Sequence, residues 1–391
     1  MLNTSLSPWP SFTQEEADAV SKVLLSNKVN YWTGTECREF EKEFAAFAGT
    51  QYAVALSNGT LALDVALKAM GIGAGDDVIV TSRTFLASAS CIVTAGANPV
   101  FADVDLNSQN ISAETVKAAL TPNTKAVIVV HLAGMPAEMD GIMALAKEHD
   151  LWVIEDCAQA HGAKYKGKSV GSIGHVGAWS FCQDKIMTTG GEGGMVTTND
   201  KELWSKMWSY KDHGKSYDAV YHREHAPGFR WLHESFGTNW RMMEMQAVIG
   251  RIQLKRMPEW TARRQAHAAK LAESLGKFAS IRLIEVADYI EHAQYKFYAF
   301  VKPEHLKDGW TRDRIVSELN ARKVPCYQGS CSEVYLEKAF DDTPWRPKER
   351  LKNAVELGDT SLMFLVHPTL TDDEIAFCKE HIEAVLAEAT A

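Results

Sequence analysis

The sequence predicts an α/β fold: a sheet of buried parallel strands with helices on both faces, followed by a smaller α+β unit. Three observations carry this. From about residue 50, short β-rich runs alternate with amphipathic helical stretches. The β-rich runs, among them "DDVIVTS", "TKAVIVVHLA" and "LWVIED", are nearly continuously apolar, as parallel strands covered on both faces are. Past a long helical stretch near residue 250 that alternation stops, and isolated strands and helices succeed it.

The elements run in order. "QYAVALS" reads as a strand and leads to the helical "TLALDVALKAM"; "DDVIVTS" leads to "TFLASASCIVTAG". "NPVFADV" leads to "SAETVKAAL", "TKAVIVVHLA" to "PAEMDGIMALAKEHD", and "LWVIED" closes the series. Helices filling the gaps between such strands specify crossover units. A long helix is expected from about Arg241 through "MEMQAVIGRIQLKRMPEWTARRQAHAAKLAESLG". Then come the strand-like "AQYKFYAFV", the helix "TRDRIVSELNARK", the strand-like "TSLMFLVH" and a final helix from Asp372. We expect a domain boundary inside the long helix, dividing residues 1–250 from 251–391. Tyr210 to Thr238, rich in His, Gly and aromatics, lack periodicity and read as a long functional loop.

Composition excludes several classes. With 391 residues, two packed domains are expected. Apolar residues make up 46% and charged residues 23%, the balance of an ordinary soluble protein. A net charge of -9 and a pI near 5.8 speak against nucleic acid, which leaves a basic footprint. No apolar run is long enough to cross a bilayer. The stretch "MLNTSLSPWPSFTQEE" lacks the basic and apolar regions of a signal peptide, so a cytoplasmic protein is expected. The 7 cysteines are scattered without a C-x-x-C pair, which points to reduced thiols rather than disulfides or zinc.

Ligands of α/β sheets bind beyond the carboxyl ends of the strands. That rule singles out Ser57 to Thr60, Thr84 and Phe85, Asp156 to Gln159, and Ser180 to Lys185. Two formal motifs fall away on context. "GAKYKGKS" (Gly162 to Ser169) matches the Walker A pattern, but a P-loop must open a helix. The next residues, "VGSIGHVGAWSF", are rich in glycine and β-formers, so "KYKGKSV" reads as a hairpin. "GIGAGD" (Gly71 to Asp76) precedes a strand instead of succeeding one and reads as a helix exit.

Four pieces remain, each with a plain alternative. "SFCQDKIMTTGGEGGM" sets Lys185 between a strand end and a glycine cluster: a solvated loop lysine, or a reactive amine held in a tight turn. In "LSNGTLAL" a strand ends at Ser57 and Thr60 starts a helix: a capped turn, or an anion site built from free helix amides. Glu155 and Asp156 end an apolar strand in "VIEDCAQAHGA": helix caps, or partners for a cation in the cleft. Phe85 opens a helix at the same edge: core, or a platform for a flat ring. Pyridoxal phosphate needs all four together: a lysine for its aldehyde, a carboxylate for its pyridine nitrogen, a phosphate cradle and a flat surface. Lys185, Asp156, Thr60 and Phe85 supply them from different strand ends.

The sequence resembles the DegT/StrS-type nucleotide-sugar aminotransferases, which are fold-type I pyridoxal phosphate enzymes. The resemblance covers nearly the whole chain and includes "GTECREFEKEFAAFAGTQYAVALSNGTLAL", "VHLAGMPAEMD", "IEDCAQAHGA", "SFCQDKIMTTGGEGGM" and "GTNWRMMEMQAVIGRIQL". It implies a large domain with a mostly parallel mixed sheet flanked by helices, plus a smaller C-terminal α+β domain. It implies that Lys185 binds the cofactor covalently, that Asp156 pairs with the pyridinium nitrogen and that Gln159 lies near the ring hydroxyl. Gly59, Thr60 and Ser180 would bind phosphate, Phe85 would stack on the ring, and Asn239, expected to open a helix, would reach the phosphate of the neighbouring subunit in a homodimer with shared active sites. The implied reaction moves an amino group from an amino acid, glutamate, to a nucleotide-linked keto sugar, commonly a 4-keto-6-deoxyhexose, for surface polysaccharide or amino-sugar biosynthesis. Arg230, Trp231 and His233 lie where a large diphosphate substrate would be met, or in a solvated loop. Two other classes are weighed: a pyridoxamine-dependent dehydratase, whose family members carry histidine in place of the lysine, and a non-catalytic regulatory relative. Lys185 and the intact constellation speak against both. No metal is expected.

Overall fold

The protein, as a computed structural model, is described over residues 6–391. The first five residues of "MLNTSLSPWPSFTQEE" lie outside that range. Seven strands form one sheet, in the order Tyr52–Leu56, Gly194–Thr198, Val176–Ser180, Trp152–Asp156, Thr124–Val130, Asp77–Thr81, Asn98–Ala102. The last five of these run parallel to one another. The connection from Ser180 to Gly194 holds no helix, and without a crossover the chain can only turn back. Gly194–Thr198 therefore pairs antiparallel with both its neighbours, which makes the sheet mixed.

Strand side chains alternate between two cores. Val78, Val80, Ala126, Ile128 and Ile154 face one, together with Phe40, Phe44, Ala62 and Ile92 from the covering helices. Ile79, Val127, Val129 and Val153 face the other, under Val116, Ile142 and Leu145. This period of two has a consequence at the end of Trp152–Asp156: Asp156 shares the face of Ile154, and Glu155 that of Val153.

The long helix is Glu244–Leu275, one continuous element with Pro258 inside. It starts three residues after Arg241, so Asn239 does not open it; Asn239 lies in an isolated bridge with Asp212. A second sheet, antiparallel throughout, orders Ile281–Leu283, Phe297–Val301, Ser361–Phe364 and Cys326–Tyr327. Its apolar face meets Leu271, Leu275, Ile315, Ile382 and Leu386 from three helices. The stretch from Tyr210 to Thr238 is less irregular than expected. Helix Lys201–Lys211 runs into it, a short helix spans Tyr217–Tyr221, and Lys215 bridges His233.

"KYKGKSV" is the hairpin its composition implied: Lys164–Tyr165 pairs with Lys168–Ser169. Lys166 and Gly167 both take positive φ (50° and 77°), as a two-residue turn between twisted strands requires. Gly71 to Asp76 carries the chain out of helix Gly59–Ala69 into the next strand. No helix among the described residues is long and apolar enough to cross a membrane.

Candidate active site

The candidate residues gather at the carboxyl ends of the central strands. Asp156 ends its strand, and Ser180 ends the parallel neighbour, two residues beyond the pairing partner of Asp156. Gly194, opposite both Ser180 and Leu56, closes the space from the other side. The turn 57–60 leaves little room between them. A Cβ on Gly59 would lie 2.5 Å from Ser180 Cβ, and one on Gly194 would lie 2.2 Å from the Asn58 carbonyl oxygen. Only glycine lets the three backbones meet so closely. The cap of helix Gly59–Ala69 is Asn58, whose side chain accepts from the Leu61 amide at 3.0 Å, and not Thr60, which is exposed in the first turn. The amides of Gly59 and Thr60 thus remain at a positive helix end beside the Ser180 hydroxyl, a cradle fit for a phosphate. From far along the chain, the Trp240 and Arg241 carbonyls accept from the Ser57 amide and hydroxyl at 3.0 and 3.1 Å.

The two carboxylates at the strand end part company. Glu155, fully buried, accepts from His131 Nε2 at 2.9 Å and from the amides of Gly171, Ile173 and Gly174. Burial pushes its carboxyl up, but these donors more than offset it and hold it below the ordinary glutamate range. His131 Nδ1 accepts from the Ala137 amide, which fixes the tautomer. His131, Glu155 and Cys157 bring possible ligand atoms within 4.8 Å. Both histidine nitrogens are already engaged, and His131 with Glu155 is a buried brace. Asp156 faces the cleft side instead. Its Oδ2 accepts from Ser88 Oγ at 2.8 Å and its Oδ1 from the Ala158 amide at 3.1 Å. Burial pushes it up from the ordinary aspartate range, against the pull of Ser88, the Ala158 amide and the Lys185 charge.

Lys185 is half-buried, with Nζ 5.4 Å from the centroid of the Tyr295 ring. Tyr295 in turn donates its hydroxyl hydrogen to Asp184. The lysine's backbone is held at both ends: its carbonyl accepts from Trp9 Nε1 at 2.8 Å, and its amide donates to Cys182 O at 3.1 Å. Phe85 stands 70% exposed, three residues before Ser88, so its ring is not core. Gln159 accepts from the Ala133 amide through Oε1 at 2.7 Å, which leaves its NH2 as the free end. Asn239, Arg230, Trp231 and His233 are all exposed. Sequence reasoning missed Ser88, Tyr295 and Trp9. Ser88 is one of several small residues in "LASASC", and nothing local marks it; Tyr295 and Trp9 arrive from distant segments.

A cleft-side lysine, a buried carboxylate, an exposed aromatic face and a glycine-built anion cradle, all on one sheet edge, define a pyridoxal phosphate enzyme of fold type I. Comparison with known proteins gives the family. A model of the DegT/DnrJ/EryC1/StrS aminotransferase family matches residues 10–383, and the chain belongs to that family. It is 65% identical to an aminotransferase of Psychrobacter cryohalolentis whose solved structure superimposes with a TM-score of 0.96, covering 98% of this chain and 99% of that one. It is 41% identical over 377 residues to a GDP-perosamine synthase of Escherichia coli O157:H7, covering 95% of this chain and 96% of the relative. It is 42% identical over 363 residues to a UDP-N-acetyl-3-dehydro-alpha-D-glucosamine 3-aminotransferase of Acidithiobacillus ferrooxidans, covering 91% and 90%. The cofactor is pyridoxal 5'-phosphate, and the enzyme is a sugar transaminase.

Proposed function

We propose that the protein transfers an amino group from glutamate to a nucleotide-linked keto sugar, a 4-keto-6-deoxyhexose, in the biosynthesis of an amino sugar for surface polysaccharide. What supports the reading is the juxtaposition of Lys185 and Asp156 at one cleft edge, within a chain of the sugar-aminotransferase family. When bound, the cofactor supplies an electron sink for a carbanion. Lys185 Nζ would hold its aldehyde carbon and, once freed, would move a proton from the donor's α-carbon to the cofactor carbon in one half-reaction and from the cofactor carbon to the sugar carbon in the other. Asp156 holds a proton on the pyridine nitrogen, because an adjacent opposite charge favours the charged form. The Gln159 NH2 donates to the ring oxygen. The first-turn amides at Gly59 and Thr60, with the Ser180 hydroxyl, bind the phosphate, and Phe85 covers one ring face. Asn239 reaches the phosphate of a partner subunit in a cytoplasmic homodimer, and each chain divides within helix Glu244–Leu275 into units of residues 1–250 and 251–391.

The test is an assay of the purified holoenzyme with glutamate and a panel of nucleotide-linked keto sugars, with products identified by mass and NMR. Amination of a 4-keto-6-deoxyhexose with stoichiometric 2-oxoglutarate is the expected result. Amination at another carbon corrects the sugar. A chain that aminates nothing in the panel overturns the reading.

A further inference from the structure

Behind Asp156 lies a hydroxyl pair that the transamination chemistry does not use. Ser88 Oγ donates to Asp156 Oδ2 at 2.8 Å, and Thr84 Oγ1 lies 2.8 Å from Ser88 Oγ. Both side chains are 2% exposed, so water does not compete with them. A serine hydroxyl has one hydrogen. With that hydrogen on Asp156, only Thr84 can donate in the outer contact, and the two dipoles point the same way. Ordered donors in a dry interior polarise one another and act on the terminal anion more strongly than one does alone. The outer end is anchored, since the Thr84 amide donates to Cys331 O at 3.1 Å.

We propose that Thr84 and Ser88 form a directed relay that keeps Asp156 ionised, and that both are positioning residues for the ring nitrogen of the cofactor. The inference rests on the pyridoxal phosphate reading. The need for a relay comes from the surroundings of Asp156. Burial favours its neutral form, and a neutral carboxyl cannot hold a proton on the pyridine nitrogen by charge. The other groups facing it are Lys185 and His131, which favour the anion, and the thiols of Cys91 and Cys157, which stay protonated beside it. Ser88 Oγ is the side chain that donates to Asp156, and Thr84 Oγ1 stands behind it, so the relay is the hydrogen-bonding support that side chains give this carboxylate.

The experiment loads wild type, Ser88→Ala, Thr84→Val and Thr84→Ser with pyridoxal phosphate labelled with 15N in the ring. The 15N shift is tracked against pH, with cofactor affinity measured alongside. Ser88→Ala should lower the pH at which the ring nitrogen loses its proton by about one unit, a tenfold change in that equilibrium. Thr84→Val, which keeps shape and loses the hydroxyl, should shift it the same way by about half as much. Thr84→Ser, which keeps the hydroxyl, should titrate as wild type does. Steady-state kcat should fall in the same order while the KM for glutamate stays within about twofold, as expected where ground-state binding is untouched. If Ser88→Ala and Thr84→Val titrate like wild type, the relay is overturned and the cofactor reading stands. Wild type that takes up no cofactor, or binds it with an unprotonated ring nitrogen, overturns the cofactor reading and the relay with it.

Discussion

In the proposed function Lys185 and Asp156 carry the chemistry, and each makes a sharp expectation. Borohydride reduction of the holoenzyme and peptide mapping should fix the pyridoxyl group on Lys185; a label on another lysine, or none, removes the assignment. Asp156→Ala should keep part of its cofactor yet lose kcat by about a hundredfold or more, the scale on which removing one preorganised electrostatic partner acts. Turnover near wild type would mean that another group protonates the ring. Glu155 next door obeys a different rule. Its carboxyl is held below the ordinary range by His131 and three amides, so its contribution to stability is present above the unfolded value of 4.5 and is lost as pH falls through the lower folded value. Glu155→Gln should cost about 3 kcal/mol or more at neutral pH, because it leaves the His131 donor and the amides of Gly171, Ile173 and Gly174 facing an amide group. It should also weaken the acid dependence of unfolding, measured by denaturant titration at pH 7 and pH 4. An unchanged difference between the two pH values would move that dependence elsewhere.

At the scale of elements, the decisive piece is the turn 57–60 wedged between Ser180 and Gly194. Gly194→Ala places a methyl group against the Asn58 carbonyl, and backbone on both sides leaves nothing to rotate away. The variant should lose about 1–3 kcal/mol of stability through overpacking. It should also bind pyridoxal phosphate at least tenfold more weakly by absorbance titration; wild-type affinity would show that the turn is not the phosphate cradle. Much of this was legible in the sequence. The strands announced themselves as apolar runs, and the rule of carboxyl ends then pointed at 57–60, 156 and 180–185 without any structure. What could not be read was tertiary. Thr60 looked like the cap because it stands beside the helix, yet Asn58 reaches the Leu61 amide and takes that place. Asn239 was expected to open a helix, yet it lies in a bridge with Asp212 and the helix waits until Glu244. The separation of Glu155 from Asp156 comes from the strand period and was open to inference. Ser88 was not, because its role exists only where a helix meets a strand end that lies 68 residues on.

For the whole molecule, the question is how many chains make one site. The cradle as it stands in one chain already uses the Trp240 and Arg241 carbonyls on Ser57, while the Asn239 side chain next to them is exposed. If Asn239 serves a partner, Lys185→Ala and Asn239→Asp fall in one site of a mixed dimer and leave the other intact. Unfolding and refolding the two inactive variants together makes about half the dimers mixed, so about a quarter of all sites should recover. No recovery, with dimers present and Asn239→Asp inactive alone, would give each chain its own complete site.

That cradle also fixes when the site comes into being. Its walls come from residues 57–60, Ser180, Gly194 and 240–241, four places far apart along the chain. Contacts between such distant segments form only after long loops have closed, so they belong to the late, slow part of folding. A cofactor that binds only the finished receptor cannot hasten its construction; it acts on the way out. Pyridoxal phosphate should therefore leave the refolding rate of this chain unchanged and slow its unfolding, as interactions absent from the transition state do. Stopped-flow tryptophan fluorescence with and without the cofactor reads both rates, and faster refolding in its presence would mean that the cradle forms early.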